Sequence, residues 1–146
     1  MSLEENKAIV RRFIEAYNKH DLSSIDEFVA PDFVDHTHQT GRGGLKQLFA
    51  MAFKAFPDWH ETIEDIIAEG DKVWVRAKST GTHTGEFMGI APTGKKLTTE
   101  MVDIYRIVDG KHVEGRFVVD QLDFLRQLGV IEYTEIGKEL FPQDVK

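Results

Sequence analysis

The spacing of apolar residues changes at Pro57, and this change restricts the available folds more than any other feature of the chain. Before Pro57, apolar residues recur every three or four positions, which is typical of amphipathic helices. After it, strand-like runs are separated by turns that contain glycine and aspartate. Helices followed by a meander of strands favour an α+β fold, with helices on one face of a curved antiparallel sheet.

Helical spacing predicts three helices in the first part of the chain. They cover residues 4–19, a short segment that follows a capping Asp21 or Ser23 and is stopped by Pro31, and residues 45–56. The stretch from Phe33 to His38 looks extended. The glycine-rich residues 41–44 form a flexible break before the third helix.

Four strands are predicted after Pro57, at residues 60–68, 72–81, 97–108 and 111–121. The first two pair across Glu69-Gly70-Asp71. The last two form a tight hairpin, because both central residues of Asp109-Gly110 tolerate positive φ. Between the two hairpins, residues 81–96 form a long loop or an irregular strand, and a terminal helical turn at 122–128 ends at Gly129 as its cap.

Composition and charge exclude several classes of function. The chain has no cysteine, which excludes disulfides, thiolate metal ligands and a cysteine nucleophile. Its net charge of −7 and scattered basic residues argue against nucleic acid as a partner. The sequence shows no membrane span, no secretory signal and no nucleotide-binding glycine motif. We expect a cytoplasmic protein with one domain, residues 1–146, and no cofactor.

Five stretches of the sequence together carry a family resemblance. They are Glu15-Ala16-Tyr17-Asn18, residues 30–36 (Ala-Pro-Asp-Phe-Val-Asp-His), residues 55–59 (Ala-Phe-Pro-Asp-Trp), the Gly/Thr-rich residues 81–95, and residues 120–129. In this order they resemble the SnoaL-like polyketide cyclases of the NTF2-like superfamily. The resemblance covers nearly the whole chain.

The resemblance implies a cone-shaped α+β barrel, usually a homodimer, in a family whose members include cofactor-free cyclases. These close a ring by intramolecular aldol condensation with an aspartate as acid/base, and Asp120 matches that aspartate. Arg116 departs from the pattern, because members commonly have tryptophan there. We therefore expect a lyase or isomerase acting on a small hydrophobic carbonyl compound. A binding protein that leaves such a molecule unaltered is the alternative.

Alternation along the last strand places Arg116 and Asp120 on the same face. If that face lines a pocket, Asp120 can take and return a proton, and Arg116 can bind a substrate carboxylate or enolate. The alternatives are that Asp120 caps the following helix and that Arg116 forms an ion pair with Glu114 or Asp120.

Three histidines are further candidates. His36 and His38 alternate around Thr37, and His83 lies in a Gly-Thr-His-Thr-Gly segment. We expect no metal site, because His-x-His is short and common and zinc needs three converging ligands. His36 is instead the predicted group for polarising a carbonyl or moving a proton, and His83 is a predicted substrate contact.

Four more residues are predicted substrate contacts. Tyr17 and Asn18 close the first helix and could offer a phenol and an amide to a substrate carbonyl. Phe87 and Met88 lie in a loop that has little other reason to be apolar, so we expect them at the mouth of a pocket. The alternatives are core packing for the aromatic residues and a helix end for Asn18.

Overall fold

The computed structural model describes residues 2–144. Its helices and strands follow in the order α1 Leu3–Asn18, α2 Ser24–Phe28, β1 Val29–Asp35, α3 Arg42–Ala55, β2 His60–Glu69, β3 Lys72–Thr82, β4 Lys96–Val108, β5 Lys111–Val119, α4 Gln121–Leu128, α5 Glu135–Leu140 and a 3-10 turn Pro142–Asp144. Within this described part, none of the helices has the length and apolar character needed to cross a membrane. The single-domain assignment stays a prediction.

The sheet has the strand order β1-β5-β4-β3-β2. Strands β2 to β5 form the antiparallel meander that the sequence predicts. The prediction that Pro31 stops α2 is wrong, because the chain is already extended at Val29 and Pro31 lies inside β1. β1 pairs with β5 in parallel, with Val34 opposite Glu114. A proline is tolerated there because β1 is an edge strand, where one side of the backbone needs no partner.

The structure confirms the predicted Asp109-Gly110 turn and the predicted Gly129 cap, but not the predicted flexible break at residues 41–44. Asp109 and Gly110 have φ of 51° and 78°, as a tight hairpin between β4 and β5 requires. Gly129, with φ of 77°, caps α4. The glycine-rich break, however, belongs largely to α3, which begins at Arg42. A Cβ at Gly44 would lie 1.8 Å from Oγ1 of Thr40, so this glycine permits a close contact.

Helices α1 and α3 cover one face of the sheet and leave the other face to solvent. Along β3 the side chains alternate strictly between buried and exposed from Lys72 to Ser79. The inner face packs against α1 in a core that includes Phe13, which is 2% exposed. A second apolar cluster, around Phe56 and Trp59, joins the end of α3 to α4. The position of a residue on the inner or outer face therefore decides whether it can reach the interior.

Candidate active site

A cavity of about 140 Å³ lies between α1, α3 and the inner face of the sheet. Most of its wall is aromatic or aliphatic, and two acidic side chains, Glu61 and Asp103, interrupt it. The lining residues are Phe13, Ile14, Tyr17, His38, Leu45, Leu48, Phe49, Glu61, Met101, Asp103, Tyr105, Phe117 and Val119. An apolar cavity with a few convergent polar groups is the usual form of a small-molecule site.

Glu61 is held in place by the last residue of α1. The side-chain Nδ2 of Asn18 donates to the Glu61 carbonyl at 2.8 Å, and the Glu61 N–H donates to Asn18 Oδ1, also at 2.8 Å. These two hydrogen bonds fix the backbone of β2 against the helix end. Asn18 is absent from the cavity lining, so the structure places it as a support for Glu61 and corrects its predicted substrate contact.

Asp103 points inward from the centre of β4, where it pairs with Val75 on one side and Phe117 on the other. It is 2% exposed and Glu61 is 6% exposed. The two carboxyl groups are close enough for each to change the pKa of the other. Two negative charges at neighbouring buried sites are unfavourable, so one proton on the pair is favoured. We call Glu61 and Asp103 the acid pair.

Burial raises the pKa of both members of the acid pair. For Asp103 the pKa lies well above its usual value, first because of burial and then because of the charge of Glu61. The Glu61 pKa is also raised by burial, while its hydrogen bond with Asp103 acts in the opposite direction. Burial therefore favours one shared proton on the acid pair over two negative charges. Among the described residues, Glu61 Oε1 and Asp103 Oδ1 are buried without a hydrogen-bond partner.

Two phenols share the cavity with the acid pair. Burial raises the pKa of Tyr17 well above its usual value, and the charges of Glu61 and Asp103 raise it further. Burial and the same carboxyl groups raise the pKa of Tyr105. Both hydroxyls therefore stay protonated and can donate hydrogen bonds. A guest in this cavity would meet two phenol donors and one transferable proton.

Comparison with known proteins identifies the family. The sequence profile of the SnoaL-like polyketide cyclases matches residues 7–128. The chain belongs to this family. It is 33% identical over 129 residues to aklanonic acid methyl ester cyclase DnrD of Streptomyces peucetius, covering 83% of this chain and 88% of that protein. It is 31% identical to nogalonic acid methyl ester cyclase of Streptomyces nogalater, covering 80% of this chain and 91% of that one.

Solved structures confirm the fold of this SnoaL-like protein. AclR of Streptomyces galilaeus superposes with a TM-score of 0.85 at 34% identity, covering 97% of this chain and 92% of AclR. IdmH of Streptomyces antibioticus superposes with a TM-score of 0.75 at 32% identity, covering 85% of this chain and 98% of IdmH. The predicted α+β fold of the NTF2-like type is thereby confirmed.

The structure places Asp120 outside the cavity of this SnoaL-like protein. Its side chain is exposed and accepts a hydrogen bond from the N–H of Asp123 at 3.1 Å, so it caps α4. The predicted alternation along β5 is correct, but the inward face carries Phe117 and Val119. Arg116 is exposed on the outer face. Asp120 borders a surface depression beside Val118, and Arg116 borders another beside His36, but neither lines the cavity that holds the acid pair. The capping alternative for Asp120 is confirmed.

The two predicted histidines also lie away from the cavity. His36 is on the outer side of the sheet, with Nε2 3.5 Å from Glu114 Oε1. His83 is fully buried in the second apolar cluster, where its Nδ1 lies 3.0 Å from Thr93 Oγ1. Neither lines the cavity, so no geometry here supports a substrate contact for them. Within residues 2–144, no three His, Asp or Glu side chains converge as metal ligands.

Of the remaining predicted contacts, Tyr17 lines the cavity and the two loop residues do not. Phe87 packs its ring against those of Phe56 and Phe124. Met88 is 74% exposed at the tip of a tight turn, with φ of 50°. Phe87 is apolar because it packs in the core. The prediction that Phe87 and Met88 lie at the mouth of the pocket is therefore corrected.

Sequence reasoning missed Glu61, Asp103 and Tyr105. A signal existed for Asp103, because the inward positions of β4 read Leu, Thr, Met, Asp, Tyr, Ile from 97 to 107, and an acid among them is unusual. Glu61 carried no such signal, because the burial of β2 is irregular and a bulge between Ile63 and Asp65 shifts its register.

Proposed function

We propose that this protein closes a ring in a small carbonyl-bearing molecule by an aldol-type reaction, as a lyase or isomerase that works by proton transfer. The observation that carries the proposal is the buried acid pair facing an apolar cavity. A carboxyl group whose pKa is raised by burial keeps a proton that it can give to a substrate oxygen near neutral pH.

In the proposed reaction, Asp103 donates its proton to the oxygen of the carbonyl that is attacked. Glu61 accepts the hydrogen bond of Asp103 before the reaction and stabilises the proton on the pair. Tyr17 and Tyr105 donate hydrogen bonds to the oxygen on which negative charge develops. Donors already held in a dry site stabilise such charge more strongly than water does, because they need no reorganisation.

The cavity limits the size of the part of the substrate that enters. Its volume of about 140 Å³ is close to that of an engineered cavity of roughly 150 Å³ that holds benzene. Drug-sized ligands need about 300 Å³ or more. We infer that a single ring, or a short carbonyl chain, contacts the acid pair. A polycyclic ester like those in the relatives' names would insert one ring and leave the rest at the mouth.

The test measures ring closure with and without the acid pair. Purified protein is incubated with aklanonic acid methyl ester and, separately, with the small diketone acetonylacetone. The cyclised products are isomers of the substrates, so they are separated by liquid chromatography and quantified by proton NMR. We expect Asp103→Asn and Glu61→Gln to lower turnover by at least about 100-fold, because each removes a proton-transfer group and keeps the shape. Matched controls are Asp65→Asn and Glu64→Gln, which alter exposed acids of β2 that pair with Arg76. Undiminished turnover in Asp103→Asn would contradict the proposal.

A binding protein that leaves its ligand unaltered is the second candidate, because the cavity wall is chiefly apolar. Native mass spectrometry of the freshly purified protein detects a co-purifying molecule, and NMR of the released molecule then follows its conversion, since ring closure leaves the mass unchanged. A co-purifying molecule that stays chemically unchanged over hours favours binding. Its conversion by the wild-type protein, and not by Asp103→Asn, favours catalysis.

We also propose a homodimer formed through the outer face of the sheet. Trp74 and Val118 on this face are 46% and 59% exposed, and Arg116 and Glu100 lie among them with opposite charges. Apolar side chains mixed with both charges suit contact with a second copy across a twofold axis. Sedimentation should show a dimer that Val118→Glu shifts to monomer, while Ile136→Glu on α5 does not. A wild-type monomer at all concentrations would refute this.

A further inference from the structure

The turn after β1 is built around a buried carboxylate. Asp35, the last residue of β1, is 0% exposed. Its Oδ1 accepts the backbone N–H groups of Thr37 at 2.9 Å and of His38 at 3.0 Å. The backbone of Asp35 and Thr40 closes the same turn with two further hydrogen bonds. These hydrogen bonds hold the turn in one conformation. They leave Asp35 Oδ2 available to accept a hydrogen bond from a side chain.

That second oxygen lies 2.6 Å from Nδ1 of His38. When the carboxylate accepts the Nδ1 proton, the lone pair of the neutral imidazole lies on Nε2. A carboxylate that orients a histidine in this way also stabilises the imidazolium formed when Nε2 takes a proton. Asp35 and His38 thus have the geometry of a base and its orienting group.

His38 lies on the same cavity as the acid pair. Its ring centroid is 5.9 Å from that of Phe117, which pairs directly with Asp103 across β5 and β4. The Phe117 N–H donates to Thr37 Oγ1 at 2.8 Å, so the turn is tied to β5 at this level. The His38 side chain is 44% exposed while it lines the cavity, which locates it at the mouth. Solvent can exchange protons with it there.

We propose that His38, oriented by Asp35, is the catalytic base that removes the proton next to the substrate carbonyl. This inference rests on the proposed function and assigns its second proton transfer. The C–H bond breaks and its proton moves to Nε2. The released electron pair forms the new C–C bond to the second carbonyl carbon, whose oxygen takes the proton of the acid pair. Water at the mouth returns the proton from His38 to the pair, so the reaction is a net isomerisation.

The test separates proton removal from ring closure. Acetophenone has one carbonyl, so its methyl protons can exchange with deuterium oxide without a cyclisation, and exchange is followed by proton NMR. We expect His38→Gln to lower the exchange rate by about 100-fold or more. Asp35→Asn should lower the exchange rate by a similar factor, because the His38 ring stays in the protein but its tautomer is no longer fixed. The control His60→Gln makes the same change at an exposed site.

Chemical rescue distinguishes a catalytic role from a structural one. The exposed position of His38 should let added imidazole enter and restore exchange in His38→Gly, whereas lost packing would not be restored. Exchange at the wild-type rate in His38→Gln, together with loss in Asp103→Asn, would overturn the role of His38 and leave the proposed function standing. Absence of exchange above buffer in the wild type, with no ring closure of either carbonyl substrate, would overturn both.

Discussion

The buried His112 makes the free energy of unfolding of this protein depend on pH. Its ring is fully buried under β5, with Nδ1 2.9 Å from the carbonyl of Phe28 and the rings of Phe13 and Tyr105 beside it. Burial lowers the pKa of His112 from 6.5 to about 4, and the hydrogen bond to Phe28 only partly opposes this. The folded protein therefore holds the imidazole neutral where the unfolded chain would protonate it.

Because the folded pKa is the lower one, the unfolded state binds more protons between the two values. The stabilisation is complete above the unfolded pKa of 6.5 and is lost as the pH falls towards about 4. The full difference corresponds to roughly 3 kcal/mol, and most of it, about 2 to 3 kcal/mol, is already lost at about pH 4.5.

The assay is urea unfolding at neutral pH and at about pH 4.5 for the wild type, His112→Gln and the exposed control His60→Gln. Glutamine can still donate to Phe28 but does not titrate. Other titrating groups, including the acid pair, contribute alike to the wild type and to His112→Gln. We expect the wild type and His60→Gln to lose about 2 to 3 kcal/mol more than His112→Gln between the two pH values. Equal losses in all three proteins would refute the assignment to His112.

Substitutions at three further positions are tested by urea unfolding. Asn18→Ala removes both hydrogen bonds to Glu61, so we expect a loss of about 1 to 3 kcal/mol and a lower turnover number; unchanged turnover would contradict the supporting role. Asp120→Ala should cost about 1 kcal/mol through its cap, and Asp120→Asn almost nothing. Gly81→Ala places a Cβ 2.6 Å from the Trp59 ring and should cost about 1 to 3 kcal/mol; a neutral effect would contradict this close packing.

Local chemistry in the sequence predicted much of the fold. The Asp109-Gly110 turn and the Gly129 cap were predictable, because few residues tolerate positive φ. The parallel pairing of β1 with β5 could not be predicted, because β5 lies about 80 residues further along the chain and nothing in the local sequence specifies parallel pairing. The start of α3 could not be predicted for the same reason. Gly44 lies in the helix because a Cβ there would clash with Thr40, and this contact is not visible in the local sequence.

The site was harder to predict for a physical reason. Alternation from Glu114 onward divides the residues of β5 correctly into two sets, but both sets contain apolar side chains, Phe117 and Val119 inward and Val118 outward. Which set faces the helices depends on packing against α1 and α3. The acid pair brings together β2 and β4, strands separated by β3, and its contact follows from the curvature of the whole sheet. The family resemblance directed attention to Asp120, which caps a helix here.

Ring closure of acetonylacetone by Asp103→Asn and Asp120→Asn is the most direct test of the claim that the acid pair is the chemical centre. Both variants replace an aspartate by its isostere, one inside the cavity and one on the surface. The account predicts a loss of at least about 100-fold for Asp103→Asn and turnover close to wild type for Asp120→Asn. The reverse pattern would contradict it and return the catalytic role to the end of β5.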